Sequence, residues 1–118
     1  MALGIERVDD NSAGGEKISV VILRGKLMLG EDCQQLEAVI PELLGDGRTK
    51  IIFDLSGVTH IDSTGIGRFI DTYSRLMKVN GKMRLAGAAG AVRDSFRVTR
   101  LDTVFAFFPT VEEARAGL

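Results

Sequence analysis

Short runs of branched apolar residues alternate along this chain with longer segments whose apolar residues recur at helical spacing. That alternation constrains the fold more than any other feature. Residues 17–24 (K-I-S-V-V-I-L-R) and 50–55 (K-I-I-F-D-L) read as largely buried strands, and 82–86 (K-M-R-L-A) and 103–108 (T-V-F-A-F-F) as two more. A first short strand is expected over 3–8, separated from the second by a hairpin loop at 9–15, D-D-N-S-A-G-G. Helical spacing appears over 31–44, through Leu36, Val39, Ile40, Leu43 and Leu44, and G-D-G at 45–47 ends that helix. Pro41 lies inside it, where it removes a backbone donor and favours a kink. A second helix covers 64–80, with Ile66, Phe69, Ile70, Tyr73, Leu76 and Met77 on one stripe and Asn80-Gly81 as its stop. A short helix follows over 91–98, and Thr110 and Glu113 have capping-box spacing for a terminal one. The order β-β-α-β-α-β-α-β-α predicts one α/β domain over 1–118. Its mixed, mainly parallel sheet has about five strands, with about four helices.

Composition removes several function classes. The 118 residues suit one domain, and 45% hydrophobic with 26% charged is too apolar for a disordered chain. A formal net charge of -1 gives no global attraction to nucleic acid or anionic membranes. No apolar run approaches the roughly 20 residues of a spanning helix, and the start M-A-L-G-I-E-R lacks a signal-peptide layout. Cys33 is the only cysteine, so no internal disulfide forms; with His60 the only histidine, a metal or nucleophile site is poorly supplied. Together these features point to a cytoplasmic protein.

The chemistry concentrates in H-I-D-S-T-G-I-G, residues 60–67, between the 50–55 strand and the second helix. Ser63 or Asp62 can cap that helix by accepting from a free first-turn amide. A cap does not account for Gly65 and Gly67, each of which costs about 0.5–1 kcal/mol in a helix relative to alanine. Close packing explains such glycines, and so does close approach by another molecule. Serine hydrolysis needs a base beside Ser63; His60 need not face it, and G-x-S-x-G is absent. G-x-x-x-x-G-K-[ST] and G-x-G-x-x-G are absent too, so the signal for tight nucleotide binding is weak. Asp54 suits the phosphoacceptor of a receiver domain. That fold begins β-α and carries a lysine after its last strand, whereas this chain begins β-β and has F-F-P-T there.

The run L-S-G-V-T-H-I-D-S-T-G-I-G resembles the signature of STAS domains, specifically bacterial anti-sigma factor antagonists. The resemblance extends over nearly the whole chain through L-R-G-K-L at 23–27 and V-R-D-S-F-R-V-T-R-L-D-T-V-F at 92–105. It implies a non-enzymatic binding module without a cofactor. It also implies a phosphoacceptor at Ser63, with Thr64 as the fallback. The implied partners are an anti-sigma factor that is also a serine kinase, and a serine phosphatase. Direct nucleic-acid contact and membrane insertion are not expected. Where many such antagonists carry an acid after R-G-x-L, this chain has Met28. The wider family also includes lipid-transporter subunits and stress-complex scaffolds; a nucleotide-binding protein is the alternative from another class.

If Ile66, Ile70, Tyr73 and Met77 face the sheet, then Ser63, Gly67, Asp71, Ser74 and Lys78 fall along one flank. The expected partner-binding set is Asp62, Ser63, Thr64, Gly65, Gly67, Asp71 and Ser74. The basic run at 93–100, R-D-S-F-R-V-T-R, reads as solvated surface able to meet an anionic group.

Overall fold

A computed structural model describes residues 4–11, 17–28 and 31–118. The loop expected beyond residue 11 and the Cys33 side chain lie outside the described residues. Among them, five strands form one sheet in the order β1-β2-β3-β4-β5. These are β1 (Gly4–Asn11), β2 (Lys17–Leu27), β3 (Lys50–Ile61), β4 (Lys82–Ala86) and β5 (Ala106–Phe108). β1 pairs antiparallel with β2; the other pairings are parallel. The expected mixed, mainly parallel sheet is therefore present. The helices are α1 (Glu31–Gly45), α2 (Ser63–Met77), α3 (Gly90–Val98) and α4 (Val111–Arg115).

Sequential strand order has a consequence for the layers. Right-handed crossovers that always step to the next strand put their helices on the same face. Leu36, Ile40 and Leu43 of α1, Ile66, Phe69 and Leu76 of α2, and Val92 and Phe96 of α3 share one core with Val21, Leu23, Ile51, Phe53 and Leu85 of the sheet. An aromatic chain runs through it: Phe53 meets Phe69 edge-on at 5.1 Å, Phe69 lies 5.8 Å from Phe96, and Phe96 lies 5.2 Å from Phe107. The opposite face carries a smaller core of Ile18, Val20, Ile52, Ala86 and Ala114, with α4 against it.

Helix α1 runs unbroken through the exposed Pro41. α2 ends in a Schellman arrangement: Gly81 N–H donates to Leu76 O at 2.7 Å and Asn80 N–H to Met77 O at 3.3 Å. Asn80 takes the left-handed conformation at φ 57°.

Several boundaries differ from the sequence reading: β2 runs on to Leu27, α2 ends at Met77, and three further differences have local causes. β1 extends to Asn11, so 9–11 belong to the strand and not to the loop, because each finds a partner on β2. Residues 56–61, expected as a loop, continue β3. They pair with β2 alone, Gly57 beside Arg24 and Ile61 beside Leu27, across two register shifts. One partner strand suffices to hold them, so they need no apolar alternation on both faces. Residues 103–105, expected in the last strand, lie before it. Leu101–Thr103 is a 3-10 turn, and Phe105 N–H donates to Leu101 O at 2.8 Å. This turn leaves Phe105 buried beside Tyr73, 5.4 Å between rings, instead of in the sheet.

Candidate phosphoacceptor site and partner face

β3 outruns β4. Its pairing with β4 stops at Asp54, while its pairing with β2 continues to Ile61. The two longer strands carry the start of α2. Asp62 N–H donates to Leu27 O at 3.3 Å, joining the end of β3 to the end of β2. The N-cap is Asp62: its backbone is extended and its Oδ1 accepts from Gly65 N–H at 3.0 Å. Ile66 N–H then donates to Asp62 O at 3.0 Å and opens the helical ladder.

With Asp62 as the cap, Ser63 is the first helical residue. It is exposed, and nothing among the described residues hydrogen-bonds its hydroxyl. Thr64 beside it is half-buried. The His60 ring bonds Thr59 Oγ1 at 2.9 Å, and Asp54 Oδ1 accepts from Ser56 N–H at 3.0 Å and Ser56 Oγ at 2.7 Å. Neither supplies a base to Ser63.

The two glycines have different surroundings. Gly65 is buried, and a Cβ there would lie 2.4 Å from Leu27 O and 2.9 Å from Ile61 Cγ1. It lets α2 sit on the β2 and β3 ends. Expected on the partner face, its Cα is instead enclosed by its own domain. Gly67 is exposed, and a Cβ there would meet nothing within 4 Å.

The stripe that α2 buries is rotated from its apolar pattern. Gly65, Ile66, Phe69, Thr72 and Leu76 are buried and Tyr73 is half-buried. Ile70 and Met77, expected to face the sheet, are 44% and 48% exposed. Each follows an inward residue, Phe69 or Leu76, and one helical step of about 100° carries it to the flank. Ser63, Gly67, Ile70, Ser74 and Met77 are therefore spaced by four, three, four and three residues on one exposed stripe. Asp71 and Lys78 flank it, exposed, with Asp71 paired to Arg75 at 3.1 Å. Sequence reasoning missed Ile70 and Met77 as surface groups, because a wide apolar arc does not say where burial stops. Met28, where many antagonists have an acid, is exposed just after β2.

Among the described residues no helix is long and apolar enough to cross a membrane. A curated relative from Staphylococcus aureus, called anti-sigma-B factor antagonist, is 30% identical over 67 residues. That match covers 57% of this chain and 62% of the relative. The crystal structure of an anti-sigma factor antagonist from Mycobacterium paratuberculosis superimposes with a TM-score of 0.77 at 27% identity, covering 94% of this chain and 91% of that one. The Bacillus cell-fate determinant SpoIIAA in its phosphorylated form shares the fold, with a TM-score of 0.71 at 23% identity over 94% of this chain and 96% of that one. The STAS domain model matches residues 11–114, from the end of β1 into α4, and the chain belongs to the STAS domain family.

Proposed function

We propose that the chain is an anti-sigma factor antagonist whose partner-binding surface is switched by phosphorylation of Ser63. One observation carries this reading. Asp62 caps α2, so the Ser63 hydroxyl is exposed and unoccupied at the head of a stripe that also displays Ile70 and Met77. A serine needed for the fold would be engaged by it. Unphosphorylated, the stripe holds an anti-sigma factor that also has serine kinase activity, and a sigma factor is released for transcription. Gly67 lets the partner backbone approach beside Ser63. A serine phosphatase restores the binding form. The protein itself catalyses nothing and needs no cofactor, nucleic acid or membrane. It acts in the cytoplasm as a single STAS unit over 1–118.

The physics of the switch is local. Phosphorylation adds about -1.5 to -2 charges and three acceptor oxygens. Free amides and the dipole at a helix N-terminus tolerate that charge, so the fold persists. A docked partner without a matching cation must desolvate the dianion next to the Asp62 carboxylate. A loss of about 3 kcal/mol weakens binding on the order of a hundredfold.

Incubation with the cognate kinase and ATP is expected to add one phosphate, on Ser63, and Ser63→Ala abolishes the mass gain. Ser63→Asp is expected to keep its unfolding temperature while losing affinity for the anti-sigma factor in titration calorimetry. A phosphate that maps to Thr64, Asp54 or Ser95 overturns the assignment.

A further inference from the structure

A second site lies at the far side of the sheet, at the carboxyl ends of β4 and β5. Helix α3 enters β5 from the large-core face, whereas α4 leaves it for the opposite face. Strand ends whose neighbouring helices diverge in this way open a crevice, the usual place for ligands in α/β sheets. Here the crevice is a cavity of about 330 Å³ lined by Ala88, Arg93, Phe107, Phe108 and Pro109. That is the lower end of the range for small-molecule sites.

Two arginines flank the Phe107-Phe108 pair, and they differ. Arg84 lies over the Phe108 ring at 5.1 Å, and its Nη1 donates to Ala114 O at 2.9 Å and Ala116 O at 2.6 Å. Its donors have structural work. Arg93 lies over the Phe107 ring at 4.0 Å, and its Nη1 is buried without a hydrogen-bond partner. No acid among the described residues pairs with Arg93; the adjacent Asp94 is bound to Arg97. A buried donor without an acceptor is left without the hydrogen bond that water would have supplied. Stacking also covers only the guanidinium face and leaves its edge donors to a planar acceptor. Nη1 has almost no accessible surface, so an oxyanion in the cavity would meet the guanidinium through its other nitrogens.

We infer that this cavity binds a small molecule in which a carboxylate or phosphate group meets Arg93 and a flat apolar body rests on Ala88, Phe107, Phe108 and Pro109. The site is separate from Ser63 and does not depend on the switch.

The test is a heteronuclear NMR titration of the full chain with phenyl phosphate, benzoate, inorganic phosphate and uncharged benzyl alcohol. Phenyl phosphate or benzoate is expected to give saturable shifts at the Ala88, Phe107 and Phe108 amides and at the Arg93 side-chain N–H. Whichever of the two binds more tightly identifies the oxyanion. Benzyl alcohol is expected to bind at least about tenfold more weakly, and Arg93→Gln to weaken the charged probes by a similar factor. Arg97→Gln, on the exposed side of α3, is expected to change nothing. Should Arg93→Gln fail to fold, Arg93→Lys keeps the charge without the fork and is expected to lose affinity several-fold. The inference is overturned by shifts that never saturate, by shifts elsewhere, by equal binding of benzyl alcohol, or by an Arg93 variant that binds normally. Inorganic phosphate binding as tightly as phenyl phosphate overturns the apolar half of the site.

Discussion

Asp62 and Ser63 are chemically similar candidates for the same job, and their hydrogen bonds separate them. Asp62 Oδ1 holds Gly65 N–H, whereas Ser63 holds nothing. Asp62→Ala is therefore expected to destabilise the domain by about 0.5–2 kcal/mol, the usual cost of a lost N-cap. Ser63→Ala should change stability by less than about 0.5 kcal/mol, as for other exposed positions without a partner. Urea unfolding of both variants checks this. A large loss in Ser63→Ala would mean that the hydroxyl supports the fold, and the switch reading would lose its basis. The sequence places both residues at the helix start but not in order of duty. Capping requires an extended backbone at one residue and helical geometry at the next, and that boundary depends on where β3 ends.

At the scale of the element, α2 contains a matched pair of glycines that the sequence presents as equivalent. A Cβ at Gly65 would lie 2.4 Å from Leu27 O, a backbone atom with little freedom to move; at Gly67 it would meet open space. Gly65→Ala is expected to cost about 1–3 kcal/mol, the range for overpacking a filled site. Gly67→Ala is expected to gain up to about 0.5–1 kcal/mol from helix propensity and to weaken anti-sigma binding. Thermal unfolding of both variants, with partner titration for Gly67→Ala, separates packing from recognition. If Gly67→Ala destabilises, its backbone is not the regular helix described. If it binds its partner normally, the exposed stripe is not the interface. The same helix shows where periodicity stops being informative. Six apolar positions fit one stripe in sequence, but the domain buries one side of that arc, and Ile70 and Met77 lie together at its other edge.

At the scale of the molecule, a charge network joins the β1-β2 hairpin to the turn after α1. Arg7 bridges Asp9 at 2.8 Å and Asp46 at 2.6 Å; Ser19 Oγ donates to Asp9 at 3.0 Å; and the buried Arg48 reaches Asp9 at 3.3 Å. The hydrogen bond from Arg7 holds the Asp9 carboxyl below its ordinary value; burial partly opposes this, and Ser19 and Arg48 reinforce it. A depressed folded-state pKa means that the ionised form stabilises the fold above the ordinary carboxylate range. That contribution is lost as pH falls through the folded value. Asp9→Asn is expected to be less stable than the parent at pH 7, with the gap narrowing below about pH 4. Urea midpoints over a pH series test it, and a gap independent of pH would remove Asp9 from the linkage. Nothing in the sequence joins residues 7, 9, 19, 46 and 48, because charged residues carry no periodicity that reveals their partners. Arg93 was legible only as part of a basic run for the same reason. Element order, sheet class, helix stops and the position of the H-I-D-S-T-G-I-G junction followed from the sequence alone, since they depend on local spacing and backbone preference. Tertiary structure decided the extension of β3 along β2, the enclosure of Gly65, the exposure of Ile70 and Met77, and the lack of an acceptor for Arg93. Each of these depends on how much surface a neighbouring element covers, and that is a property of packed elements rather than of any single stretch of chain.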